Sequence, residues 1–392
     1  AAPTASAAPA ATPAAASRPG RRARAVRALR GLYRPWDELR TRFWLRRDGD
    51  AAWRRLEPGL WNFEAGFADA IDALGPDLIH AHDFRMLGVG ARAKRRAAAA
   101  GRTVRLVWDA HEFLPGVRPW RDNAHWLPAH QAYEREYADD ADAVVTVSET
   151  LAEMLQAEHH LPAKPTVVLN APPASQPTDE PGLREACGIG PDTPLVVYSG
   201  KVAPQRGLPL MVDALPDLPG VHAAFVVDST DQPELRARAE RLGVADRVHL
   251  HPYVPHWRVT GFLSSADAGV IPIDHWPNHE IALVTKFFEY SHARLPLVVS
   301  DVRVMAATVR ATGQGEVFRA GDVADYVRAV RAVLAETARY RVAYDTPGML
   351  QRWTWEAQAA VIDRLYRTLV PDTTDVPETT ELRQTPEEKV GP

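Results

Sequence analysis

Cysteine is nearly absent from the 392-residue chain: Cys187 stands alone. An internal disulfide framework is therefore excluded, and the composition suits a reducing, cytoplasmic setting. Cys187 reads as an inert helix residue and is assigned no role. Long apolar runs are missing too, and nothing approaches the roughly 18 residues that a membrane span requires. The net charge is only −4, so no global basic excess points to nucleic acid. No internal repeat of solenoid period is visible. The chain has 46% apolar and 24% charged residues, a globular composition. Its length suits two domains of about 150–200 residues each.

Residues 1–20 are Ala, Pro, Ser and Thr and read as a disordered linker, and 371–392 as a disordered tail. Residues 21–60 are rich in Arg, with Trp36, Trp44 and Trp53, and Trp61 just beyond. The first reading is amphipathic helices that pack their Trp on the domain while Arg reaches into water. A second makes this stretch a basic surface for an anionic acceptor or for peripheral contact with the inner membrane face.

From residue 62 helices alternate with short apolar strands, as in "DLIHAHD", "RLVWDAHE", "AVVTVS" and "TVVLN". Continuous apolar strands between helices indicate a parallel sheet covered on both faces. The proline-rich "APPASQPTDEPG" at 171–182 interrupts the rhythm and reads as a domain boundary. A second alternation follows, beginning with "PLVVYSG". The expectation is α/β, with two tandem doubly wound Rossmann-like domains facing a cleft. An acceptor-side domain would span 21–172, a nucleotide-sugar-binding domain 173–350, and a helix over 351–370 would cross back to the first domain. Ligands in such folds bind at the carboxyl ends of the strands, which makes the cleft the default site.

Two strand ends carry chemistry in the second half. In "SGKVAPQRG", Lys201 and Arg206 flank a turn that precedes a helix, an arrangement suited to a diphosphate. A solvated surface turn is the plain alternative. In "NHEIALVTKFFEYSHARLPLVVSD", 278–301, the pattern predicts a helix through Arg294 followed by a buried strand. Lys286 and Glu289 fall inside its apolar middle. They are either an i,i+3 surface pair worth a few tenths of a kcal/mol or charges that meet a ligand. In the first half, "HAHD" (His80–Asp83) and "DAHE" (Asp109–Glu112) both end strands. Their spacing matches no common zinc pattern, and hydrogen bonding to hydroxylated substrates suits them equally. No metal is expected.

Taken together, "PDLIHAHD", "VWDAHEF", "ADAVVTVSE", "VVLNAP", "YSGKVAPQRGL", "KFFEYSHARLPLVVSD" and "GEVFRAGD" resemble the glycosyltransferase family 4 enzymes in order and spacing over about residues 60–370. The resemblance implies the GT-B fold. It also implies a retaining, metal-independent glycosyltransferase that uses a nucleotide-diphosphate sugar and no separate cofactor. Lys201 and Arg206 would hold the diphosphate, with Gly200 and Lys286 beside them. Glu289 would bind the ribose and His111 the donor sugar. His82 and Asp83 would face the acceptor, whose identity as glycan, lipid-linked or small molecule stays open.

Two departures stand out. The family's paired Glu residues enclose seven positions, whereas Glu280 and Glu289 enclose eight, so the first position falls on Ile281. Glu280 is kept as a donor-side candidate. The family's opening strand and Gly-rich loop are not found in 1–60, so the first domain is expected to be shortened or atypical at its amino end. Among enzymes, an epimerase or phosphorylase is the rival, although no pyridoxal-binding Lys context is seen. Outside enzymes, the rival is a catalytically degenerate partner subunit.

Overall fold

The computed structural model describes residues 21–117, 123–174 and 181–370, with the backbone alone over 21–33. The segments read as linker and tail, and the middle of the proline-rich segment, lie outside the described residues.

Two parallel sheets organise the chain. The first joins β1 (Leu78–His82), β2 (Arg105–Ala110), β3 (Ala143–Thr146) and β4 (Thr166–Val167), side by side in chain order. One face meets the helices Asp83–Ala99 and Trp126–Ala138 through Leu87, Tyr133 and Tyr137, with Trp53 in the same cluster. The other face, Val107, Val145 and Val168, meets Val361, Ile362 and Leu365 of the helix Trp355–Leu369. That helix starts where Thr354 accepts a hydrogen bond from Ala357 N–H, as an N-cap residue does.

Ahead of β1 the described residues hold helices and no strand, chiefly Arg21–Asp48 and Trp61–Leu74. The Trp/Arg stretch divides between inward and outward side chains. Trp53 is fully buried, and Trp44 lies under the guanidinium groups of Arg47 and Arg55. Trp36, Leu39 and Phe43 instead face outward, Trp36 being 74% exposed. No helix among the described residues is long and apolar enough to cross a membrane.

The second sheet contains β5 (Leu195–Ser199), β6 (His222–Val226), β7 (Val248–His251), β8 (Ala268–Ile271), β9 (Leu297–Ser300) and β10 (Gly315–Phe318). Its order is β10-β9-β8-β5-β6-β7. Strand order therefore reverses between β5 and β8, and the crevice beyond their carboxyl ends is where open α/β sheets bind ligands. Apolar clusters cover both faces, which is why "LVVYS" carries no alternation.

The helix expected to run from 278 through Arg294 is shorter. Pro277–His279 forms a single 3-10 turn, residues 280–284 are irregular, and the helix spans Thr285–His292. The irregular segment leaves its own lobe. Ile281 is 3% exposed within the first lobe's core cluster, and its carbonyl accepts from Ser148 Oγ at 2.5 Å. Nearby, Asn278 exchanges two hydrogen bonds with the Phe113 backbone, at 3.0 and 3.2 Å. An apolar run that packs on another lobe needs no helical period.

Candidate functional site

A cavity of about 470 Å³ opens between the lobes. The first lobe contributes the residues just beyond three strand ends: His111 after β2, Val147 after β3 and Asn170 after β4. The second contributes Gly200, Lys201 and Arg206 after β5, Tyr253 after β7, and Lys286 and Glu289 from the helix Thr285–His292. Six of the residues singled out in the sequence thus share one cavity: His111, Gly200, Lys201, Arg206, Lys286 and Glu289. Asn170 escaped notice, although its strand-end position marks it by the rule that marked His111.

Two glycines shape the turn after β5. Gly207 has φ +68°, and a Cβ there would lie 1.9 Å from the Pro272 carbonyl oxygen. The turn therefore presses its backbone against the end of β8, where Asp274 N–H donates to Gln205 O at 3.0 Å. Gly200 has φ +124°, and a Cβ would sit 3.0 Å from Lys286 Nζ. Only glycine combines that backbone with that closeness.

Lys286 is 8% exposed and makes no ion pair with a carboxylate among the described residues. Its Nζ lies 3.5 Å from the centroid of the Tyr198 ring. Tyr198 is itself fixed by donating its hydroxyl to Lys201 O at 2.7 Å. Burial holds the Lys286 amine well below the ordinary lysine pKa; the Arg206 charge lowers it further, and Glu289 partly opposes both. Burial raises the Glu289 carboxyl, and Lys286 tempers the rise. Neither Arg206 nor Lys201 forms an ion pair among the described residues. Three basic side chains therefore converge with too little negative charge, an arrangement suited to an anion that arrives from solution.

The remaining candidates lie elsewhere. Glu280 is outside the cavity lining: it meets His275 Nδ1 at 2.5 Å and accepts from Arg303 N–H at 2.7 Å. Asp83 accepts from Arg85 at 2.8 Å at the start of the helix Asp83–Ala99. His82 sits beside His111, with ring nitrogens 3.4 Å apart, and Asp109 lies between them. The hydrogen bond with Asp109 raises the His111 pKa against burial. His82 is lowered by burial and by His80.

The sequence profile described as Glycosyltransferase Family 4 matches residues 11–172, and that of Glycosyl transferases group 1 matches 179–346. The chain is 30% identical over 199 residues to the D-inositol 3-phosphate glycosyltransferase of Xylanimonas cellulosilytica, a match covering 49% of this chain and 46% of that protein. The chain thus spans about half the length of that relative. It is 24% identical over 335 residues to the enzyme of the same name from Mycobacterium marinum, covering 81% of this chain and 70% of that one. Sucrose-phosphate synthase from Thermosynechococcus elongatus superposes with a TM-score of 0.64 at 20% identity, over 80% of this chain and 79% of that one. Anabaena Alr3699/HepE in complex with UDP gives 0.61 at 18%, over 78% and 81%. At these identities the superpositions speak for the fold.

Proposed function

Because the chain belongs to the two-domain glycosyltransferases of the GT-B fold, we propose that it moves a sugar from a nucleoside-diphosphate donor to an acceptor hydroxyl, with retention of configuration. The observation that carries this reading is the buried, carboxylate-free Lys286 beside Arg206 at the point where strand order reverses. In it, Lys201, Arg206 and Lys286 stabilise the charge that grows on the diphosphate as the bond to the sugar breaks. Glu289 accepts from the ribose hydroxyls, and His111 meets the sugar from the opposite lobe. The leaving phosphate takes the acceptor's proton. Positioning in a closed cleft contributes the rest.

Anabaena Alr3699/HepE, solved in complex with UDP, makes a uridine nucleotide the first donor to test. Thermal melting across nucleoside diphosphates checks the reading: a ligand at about 100 times its dissociation constant stabilises by about 2.7 kcal/mol. A panel without any shift, uridine diphosphate included, would refute it.

One observation favours a second reading. Ile281, at the position of the family's first Glu, is buried in the other lobe. A subunit that binds a donor without transferring it would tolerate that replacement. Hydrolysis of a bound donor sugar by the purified chain separates the two readings. The outward stripe of Trp36, Leu39 and Phe43, with Arg40 and Arg47 on the same helix, supports contact with an anionic membrane face. Sedimentation with anionic but not neutral vesicles tests it.

A further inference from the structure

The segment that carries the second lobe onto the first is tied down at one side chain. His275 follows β8, and its ring stands between two carboxylates. Its Nδ1 lies 2.5 Å from Glu280 Oε1 and its Nε2 3.0 Å from Asp301 Oδ1. A neutral imidazole has one N–H and one bare nitrogen; only the imidazolium donates from both. Both carboxylates are placed by the backbone. Glu280 Oε2 accepts from Arg303 N–H at 2.7 Å, and Asp301 Oδ1 accepts from Ala320 N–H at 2.9 Å. The ring therefore joins residues beyond the carboxyl ends of β8, β9 and β10.

What the ring fixes is the strap 277–281. Ile281, next to Glu280, enters the first lobe's core. Phe113 N–H donates to Asn278 Oδ1 at 3.0 Å, and a Cβ on Gly116 would stand 2.8 Å from the Pro277 Cβ. On the other side of His275, Asp274 N–H donates to Gln205 O at 3.0 Å, and His279 Nδ1 donates to Asp274 O at 2.8 Å. His275 thus lies between the turn that presents Lys201 and Arg206 and the strap that meets the first lobe.

We propose that His275, as an imidazolium, is a positioning residue that holds the strap against the first lobe, so that the lobes loosen when the ring loses its proton. Without that proton two carboxylates flank a ring that can donate to only one of them. Glu280 and Asp301 are the charged groups that meet the ring. Arg319, beside Ala320, is paired with Asp322 and Asp325 instead. The hydrogen bond with Glu280 raises the His275 pKa above the ordinary histidine value, slight burial opposes it, and the two carboxylate charges add to the rise. The contribution to docking is therefore complete below about 6.5 and is lost as pH climbs through the raised value. A consequence for donor binding rests on the proposed transferase reading, whereas the docking does not.

The test reads docking in the first lobe, across the contact from His275. Hydrogen exchange of the unliganded full chain, corrected for the intrinsic effect of pH, reports the amides of 111–117, where Phe113 meets Asn278. Between about pH 6 and about pH 9, the range that a raised histidine spans, protection there should fall several-fold. His275→Arg keeps a cation between the carboxylates and should stay protected throughout. His275→Gln loses the charge and should be weakly protected throughout. Glu280→Gln, an independent variant, should move the fall to lower pH, and circular dichroism checks that each variant is folded. His111 titrates within the same peptide, and the Arg variant retains it, so the difference between wild type and His275→Arg belongs to His275. A flat wild-type profile, the same fall in His275→Arg, or a fall left in place by Glu280→Gln would overturn the proposal. Uridine diphosphate titrated into the wild-type chain separates the two claims. Failure to bind it counts against the transferase reading and leaves the exchange result standing.

Discussion

In the first lobe Arg92 and Arg96 both reach Glu64, at 2.9 and 2.5 Å, and Lys94 reaches Asp142 at 2.6 Å. In the second lobe Lys286 is buried more completely than any of these and meets an aromatic face in place of a carboxylate. A buried charge normally keeps its partner because desolvation is costly. The first lobe follows that rule and gains a rigid frame under Trp61 and Tyr137, whose rings the Arg92 guanidinium covers. At the second lobe's cleft edge the rule is suspended, and the protein holds an amine whose charge burial disfavours and whose counter-charge must come from outside. Paired charges there should set stability, and unpaired ones affinity.

Replacing each kind sharpens the contrast. The largest effect is expected for Lys286→Met. It should weaken nucleoside diphosphate binding by about 2–5 kcal/mol, the scale for losing one member of a desolvated charge pair. The melting temperature should hold or rise, because an apolar side chain replaces an unpaired amine. Calorimetry and thermal melting read the two effects separately. Arg206→Ala comes next, at about 1.5–3 kcal/mol of diphosphate affinity. The bare nucleoside should be little affected, and equal losses for both ligands would remove Arg206 from the phosphate site. Arg92→Met, in the other lobe, should lower stability by about 1–3 kcal/mol, since Glu64 keeps Arg96. Denaturant unfolding should show that loss while nucleotide affinity stays at the wild-type level. The smallest change belongs to Glu289→Gln, about 0.5–1.5 kcal/mol. It should appear with the ribonucleotide and vanish with a 2′,3′-dideoxy analogue.

The same contrast explains what was legible in the sequence. Strand ends are readable because parallel strands are continuous apolar runs and their carboxyl ends carry the ligand. His111, Gly200, Lys201, Arg206, Lys286 and Glu289 all followed from that rule and from the family resemblance, and all line one cavity. Tyr366 was different. Its hydroxyl bonds His80 from 286 residues further along the chain, a separation that no local pattern encodes. The segment 280–284 misled for a related reason. Its apolar residues fit a helix, but Ile281 is apolar because it enters the other lobe's core. Glu280, one position earlier, is turned toward His275 and the Arg303 backbone. A one-residue shift in the spacing of two glutamates therefore exchanges a ligand-facing position for an interlobe contact.

The protonation of Lys286 tests the account most directly. Its pKa lies well below the ordinary lysine value in the unliganded chain. Between that lowered value and about 10.4 the unfolded chain binds more protons, so this group makes stability rise with pH across the window. A diphosphate restores the ammonium form, so binding takes up a proton and weakens as pH climbs through the same window. Titrating uridine diphosphate by calorimetry in buffers of different ionisation enthalpy counts that proton. The account predicts net uptake with uridine diphosphate and none with uridine. Binding of the two ligands with equal affinity and no proton exchange would contradict it.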